Sequence, residues 1–314
     1  MIKVRAPSWP VWLIAVGAAL VGAGAASALW TVGPGGLRPE ALFRPDDLPR
    51  LVVALVLAGT VGALVFVIGL IAYVARGSVS HTRAEQGYAS LGTILACFAV
   101  AVIVANVLTV PYGIVEARLN PGQPLELTPG VLVLSIIALD LSLLAVVYFR
   151  IVRPGVLTWQ QMGLTTASIG GRARLGLAAG VGVVVISAAI EQALNAVGIP
   201  QTQTEMFSGV KGATSWQFVG VLLAVAVIAP ICEEIFFRGY VFTAVKRMRG
   251  VPVSLATSSL LFAVSHLNLQ ALLPILVIGV GLCILYWRTN SLVPSMVAHM
   301  LNNAVALSVF YFYG

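Results

Sequence analysis

Ala229-Pro230-Ile231-Cys232-Glu233-Glu234-Ile235-Phe236-Phe237-Arg238-Gly239 sets two carboxyls and one guanidinium in a stretch that is otherwise apolar. The surrounding run, 215–237, is long and hydrophobic enough for a membrane-crossing helix, which takes about 20 residues. An ionisable group at the bilayer centre costs about 2.5–3.5 kcal/mol even on the lenient insertion scale, so such groups usually mark function. Successive helical residues project roughly 100° apart, so Glu233 and Glu234 cannot share one direction. Glu234 and Arg238 stand at i,i+4 with the acid first, the favoured order for an ion pair. This spacing predicts that Arg238 holds Glu234 while Glu233 faces an internal cavity. Pro230 removes one backbone bond just before the pair and is expected to loosen the helix there. The same three residues also suit a plain ion-pair network that locks helices together.

The rest of the chain agrees with a membrane setting. Of its 314 residues 59% are hydrophobic and only 9% charged, against about 25% charged in a soluble domain. The fold class expected is all-α, a polytopic bundle of about eight or nine transmembrane helices near 10–32, 51–75, 89–114, 129–152, 174–198, 215–237, 253–268, 271–288 and 291–313. The net charge of +7 does not indicate nucleic acid. With a cytoplasmic N-terminus, most of the Lys and Arg, from Lys3 and Arg5 to Arg288 and counting Arg238, fall on the inner side, as the positive-inside rule requires. The run after Arg5 resembles a signal peptide but is longer than a typical one, and is read as a retained first helix. Cys97, Cys232 and Cys283 lie in apolar segments without metal-binding spacing and read as small buried hydrophobes.

Residues 1–128 are read as N-terminal accessory transmembrane helices and 129–314 as the catalytic membrane core, because acids and histidines appear at membrane depth only in the second part. Asp140 suits either a functional group or a residue simply paired within the bundle, and the structural reading is preferred. Glu191 and Asn195, at i,i+4, suit either a structural pair or support for a site. Gly176 and Gly180 form a GxxxG that permits close helix packing.

Two of the three histidines complete the pattern. Gly250-Val251-Pro252 breaks the helix after the basic cluster Lys246–Arg249, so the chain is expected to turn back as an antiparallel hairpin. Glu234 and His266 are equidistant from Gly250 along the sequence, which brings them to the same level if both arms are helical. Phe262 lies one turn from His266 and is placed to pack on its ring. His299 and Asn303 share a face of the last helix, and an imidazole and a carboxamide one turn apart suit an oxyanion or a metal. Asn302 points elsewhere and is read as structural.

The ordered strings Glu233-Glu234-x-x-x-Arg238, Phe262-x-x-x-His266 and His299-x-x-x-Asn303 resemble the three motifs of the CPBP (Abi) family, which includes type II CAAX prenyl endopeptidases and bacteriocin-processing proteins. The resemblance covers roughly 130–314. It implies an intramembrane endopeptidase with a cavity open to the cytoplasm. Glu233 would be general base and His266 would help bind the water. His299 and Asn303 would stabilise the oxyanion, and Glu234 with Arg238 would support the arrangement. It leaves the cofactor open between none and zinc: Glu233, His266 and His299 make a His₂Glu set, while a buried glutamate base works without metal. Metal-free water activation is the reading preferred, since Asn303 suits an oxyanion better than zinc.

The partners expected are the lipid bilayer and a membrane-bound peptide or protein substrate, of the prenylated CAAX type or another, with no nucleic acid. A proton-coupled transporter would also bury Glu and His, but no inverted repeat is present and the candidates cluster in the C-terminal half. A non-catalytic immunity protein of the same fold is the third reading.

Overall fold

Glycine, proline and side-chain caps divide a nearly uniform apolar chain into helices. The computed structural model describes residues 88, 90–119, 128–165, 167–198, 207, 209–269 and 271–313. All regular structure among them is helical: α1 (Leu91–Leu119), α2 (Pro129–Val147), α3 (Ile169–Ala196), α4 (Ser215–Leu223), α5 (Ala229–Glu234), α6 (Thr243–Ser265), α7 (Leu272–Thr289) and α8 (Leu292–Tyr313). Three stretches of wide, π-helical turns, Tyr148–Val152, Ala224–Ile228 and Ile235–Phe242, extend or join these helices. Six helical runs among the described residues are long and apolar enough to cross a membrane, so the protein is an integral multi-pass membrane protein. The helices expected at 10–32 and 51–75, the basic residues near the N-terminus and His81 lie outside the described residues.

One of the six runs is Ser215–Ser265, in which the two helices expected at 215–237 and 253–268 are continuous except at Gly250. There the backbone takes φ 80°, ψ 178°, a region essentially confined to glycine. Pro252 follows in the first turn of the second arm, where its missing N–H removes no helical bond. The two arms lie side by side as the sequence predicts: Ser258 donates to the Phe237 carbonyl at 2.8 Å, and the rings of Phe237 and Phe262 meet edge-on at 5.3 Å. Cys97, Cys232 and Cys283 are free, buried thiols.

The GxxxG of α3 is used. A Cβ on Gly176 would stand 2.7 Å from the Pro294 carbonyl oxygen, and one on Gly180 would stand 3.0 Å from the Ala298 Cα. Only glycine therefore lets α3 lie directly on the backbone of α8, one turn from His299. The opposite face of α3, with Leu177, Val181 and Val185, is exposed and suited to lipid.

α1 joins the same core as the later helices. Phe98 packs against the rings of Phe236 and Phe237 at 6.1 and 6.4 Å, and the Tyr240 hydroxyl donates to the Tyr88 carbonyl at 2.8 Å. The segment assigned to the accessory helices on sequence thus contributes directly to the walls around residues 235–242.

We predict that Gly176→Val lowers the thermal unfolding temperature in detergent, because overpacking costs about 1–3 kcal/mol. Gly182→Ala, on the same helix but with open space around its Cβ, should leave it unchanged or raise it slightly.

Candidate active site

Pro230 has no N–H to give, and the local backbone answers by widening. In the Ala224–Ile228 stretch the bonds run i→i−5, the Ala229 N–H reaching the Ala224 carbonyl. In that register the partner missing at Pro230 belongs to the Val225 carbonyl. Asn303 supplies it from α8: its Nδ2 donates to Val225 O at 3.0 Å. The amide is oriented from the other side by Asn302, whose Nδ2 donates to Asn303 Oδ1 at 3.3 Å. Asn302, expected to point elsewhere, is thus part of this network. An amide nitrogen carries two donors, so Asn303 retains one N–H beyond the bond to Val225.

Immediately downstream, Glu234 and Arg238 form the expected pair. Arg238 Nη1 donates to Glu234 Oε1 at 2.7 Å, with both side chains at 0% exposure. Nη2 donates to the Gly279 carbonyl at 3.2 Å, and the guanidinium carbon lies 4.4 Å from the centre of the Phe262 ring. A desolvated cation over an aromatic face gains up to about 2 kcal/mol. Arg238, counted by the charge pattern among the inner-side residues, is instead wholly inside the bundle. Gly279 is a site residue that the sequence reading missed. A Cβ there would stand 3.2 Å from the Phe262 ring and 3.3 Å from the Ser259 carbonyl, so its absence allows α7 close enough to offer the carbonyl.

His299 sits between the two glutamates. Its Nδ1 lies 3.2 Å from Glu234 Oε1 and its Nε2 lies 3.6 Å from Glu233 Oε2. The ring is 3% exposed, whereas Glu233 keeps 18% of its surface open. Glu233 is therefore the accessible carboxyl and Glu234 the anchored one, the division expected from the sequence.

His266 does not lie within its helix. It caps α6 after Ser265, and Leu267 turns the chain with φ 50°. Its Nδ1 lies 2.8 Å from the Phe262 carbonyl. A carbonyl only accepts, so Nδ1 carries the proton and Nε2 is left as an acceptor. Phe262 meets the rings of both His266, at 4.9 Å, and His299, at 5.5 Å, edge-on. One aromatic ring thereby fixes the spacing of the two imidazoles and the guanidinium. Glu191 receives the Ser187 hydroxyl at 3.2 Å within its own helix. Asp140, on α2, is 3% exposed, and its Oδ1 has no hydrogen-bond partner.

Glu233, His266 and His299 are not gathered as a zinc set. Among the described residues no three His, Cys, Asp or Glu side chains are grouped so as to hold a metal ion. The arrangement instead sets the accessible Glu233 carboxyl beside His299, with His266 against the same Phe262 ring as His299 and the Asn303 amide one turn along α8.

This set of groups has a counterpart among known families. Residues 215–305 match a family model, type II CAAX prenyl endopeptidase Rce1-like. No curated protein and no solved structure matches the chain. The Rce1-like segment is narrower than the 130–314 expected from the motifs. It nevertheless holds Glu233, Glu234, Arg238, Phe262, His266, His299 and Asn303 together with Gly279, so the ion pair, the carbonyl and the ring that hold the Arg238 guanidinium all fall inside it.

Two outcomes follow from these contacts. Arg238→Met alone should destabilise the protein by about 3–5 kcal/mol, because it strands Glu234 without its cation, and the Glu234→Gln/Arg238→Met double variant should lose clearly less than the two single losses added; chemical unfolding in detergent reads both. Asn303→Ala should cost about 1–3 kcal/mol by orphaning the Val225 carbonyl. Pro230→Ala, which restores an N–H there, should recover much of that loss in the double variant.

Proposed function

We propose that the protein is an intramembrane endopeptidase in which Glu233 activates water against a peptide bond of a membrane-associated substrate. The observation that carries this reading is the unequal treatment of two adjacent glutamates. Glu234 is buried and held through Oε1 by Arg238 and His299, while Glu233 stays open beside the His299 ring. A carboxylate needed only for packing has no reason to remain accessible.

In this mechanism water enters between Glu233 and the Nε2 of His266. Glu233 takes one proton, and the resulting hydroxide attacks the carbonyl carbon. Negative charge grows on the carbonyl oxygen, where the uncommitted N–H of Asn303 and the His299 ring stabilise it. Removing one such donor typically costs about 10²–10³ in rate. Glu234 and Arg238 act through His299, keeping its ring fixed. Water activation is assigned here to these side chains and not to zinc, since the Asn303 amide suits an oxyanion better than a metal.

The substrate class proposed is a CAAX-type peptide carrying a prenyl chain, supported by the Rce1-like match and by a site enclosed by apolar helices. The cytoplasmic placement of the N-terminus rests on the distribution of basic residues.

Purified protein is expected to cleave a quenched farnesylated CAAX peptide faster than its unprenylated twin, and to do so in the presence of a chelator. Glu233→Gln should lower the rate by about 10²–10⁴-fold with unchanged folding, the contribution of a positioned base. Cleavage by Glu233→Gln at the wild-type rate would remove Glu233 from the mechanism, and loss of activity in chelator restored by zinc would replace the metal-free scheme.

A further inference from the structure

Asp140 is an anomaly that neither the match nor the motifs absorb. It lies in the middle of α2, outside residues 215–305. It is 3% exposed, and Oδ1 meets no donor. Among the described residues no Lys, Arg or His lies in ion-pair range of it, since the ion pairs there join only Glu233, Glu234, Arg238 and His299. Its charged and titratable neighbours are Glu233 and Cys232 on α5, the helix against which α2 packs. The sequence alone suggested that Asp140 is paired within the bundle, and its Oδ1 is not.

A buried carboxyl oxygen without a donor is costly, and a scaffold helix would lose nothing by carrying an apolar residue instead. A hydrolase that cuts amide bonds must, however, protonate the leaving nitrogen before the C–N bond breaks, a step that the base itself or a second acid can supply. Glu234 cannot be the second, as Arg238 holds it. An unpaired buried acid is more stable neutral than charged, so Asp140 has a proton to give.

We propose that Asp140 is the second working carboxyl of the site, the proton donor to the leaving nitrogen. The inference rests on the hydrolase reading given above. Glu233 takes a proton from water as the new C–O bond forms. Asp140 gives its proton to the amide nitrogen, the C–N bond breaks, and a neutral amine departs. Glu233 is then protonated and Asp140 ionised, and one proton passing from Glu233 to Asp140, directly or through water, restores the start. Asp140 thus brings to the Rce1-like segment a residue from a helix that the family match does not include.

The test compares two substrates of one sequence, the amide and the depsipeptide with an ester at the scissile bond. An alkoxide leaving group depends far less on a proton donor than an amine does. Asp140→Asn should lose about 10²-fold or more in kcat on the amide, a typical contribution of such a group, but under about tenfold on the ester. Glu233→Gln should lose both activities, and Asp140→Glu should recover part of the amide rate. Equal losses on amide and ester, or wild-type rates on both, would overturn the inference while leaving the hydrolase reading in place. Wild-type protein inert toward both substrates would sink the hydrolase reading and this inference with it.

Discussion

A guanidinium with no exposed surface is the constraint around which the site is organised. Leaving Arg238 uncompensated would cost several kcal/mol, so the surrounding structure must supply partners on several sides. Glu234 gives charge, the Gly279 carbonyl gives an acceptor, and Phe262 gives the face of its ring. Each partner comes from a different part of the chain: the same helix, α7, and the return arm of the hairpin. Satisfying one cation therefore fixes three elements relative to one another. The ring that covers the cation also touches both histidines, which ties the spacing of the imidazoles to the packing of the charge.

The wide turns on either side of Glu233 serve the same end. π-helical stretches are rare and often occur at functional sites. Here one precedes Pro230 and the other follows Glu234. The first is closed by Asn303, so a side chain of the candidate site also repairs a backbone defect. Such double use explains how α8 is held at the right height. Its register is set on one side by the bond to Val225 and on the other by the backbone contact of Gly176 and Gly180. A slip of one turn along α8 would break both and carry His299 away from the glutamates.

Helices outside the matched segment are not passive cladding. α3 supplies the surface on which α8 rests, α1 packs behind residues 236 and 237, and α2, which carries Asp140, packs against the helix of Glu233. The enclosure is thereby built from more of the chain than the motif-bearing helices alone, as expected for a bundle in which polar groups must be satisfied internally.

The sequence by itself determined the relations that helical periodicity encodes. Glu234 with Arg238 and Phe262 with His266 are i,i+4 pairs, and such neighbours meet whenever the helix forms. The hairpin at Gly250, the use of the GxxxG and the loosened backbone at Pro230 were legible because glycine and proline have backbone properties that no tertiary contact alters. Three matters were decided only by the tertiary structure. Asn303 shares its face with His299, yet its donor goes partly to a carbonyl on another helix. Gly279 looked like any small residue until α6 came within reach of it. On sequence the paired reading of Asp140 is preferred, and the packing of its helix against that of Glu233 follows from which helices become neighbours. The period of a helix fixes which residues share a face; which face then meets which is set by the packing of close contacts and buried charges between helices, and those have no spacing in the chain.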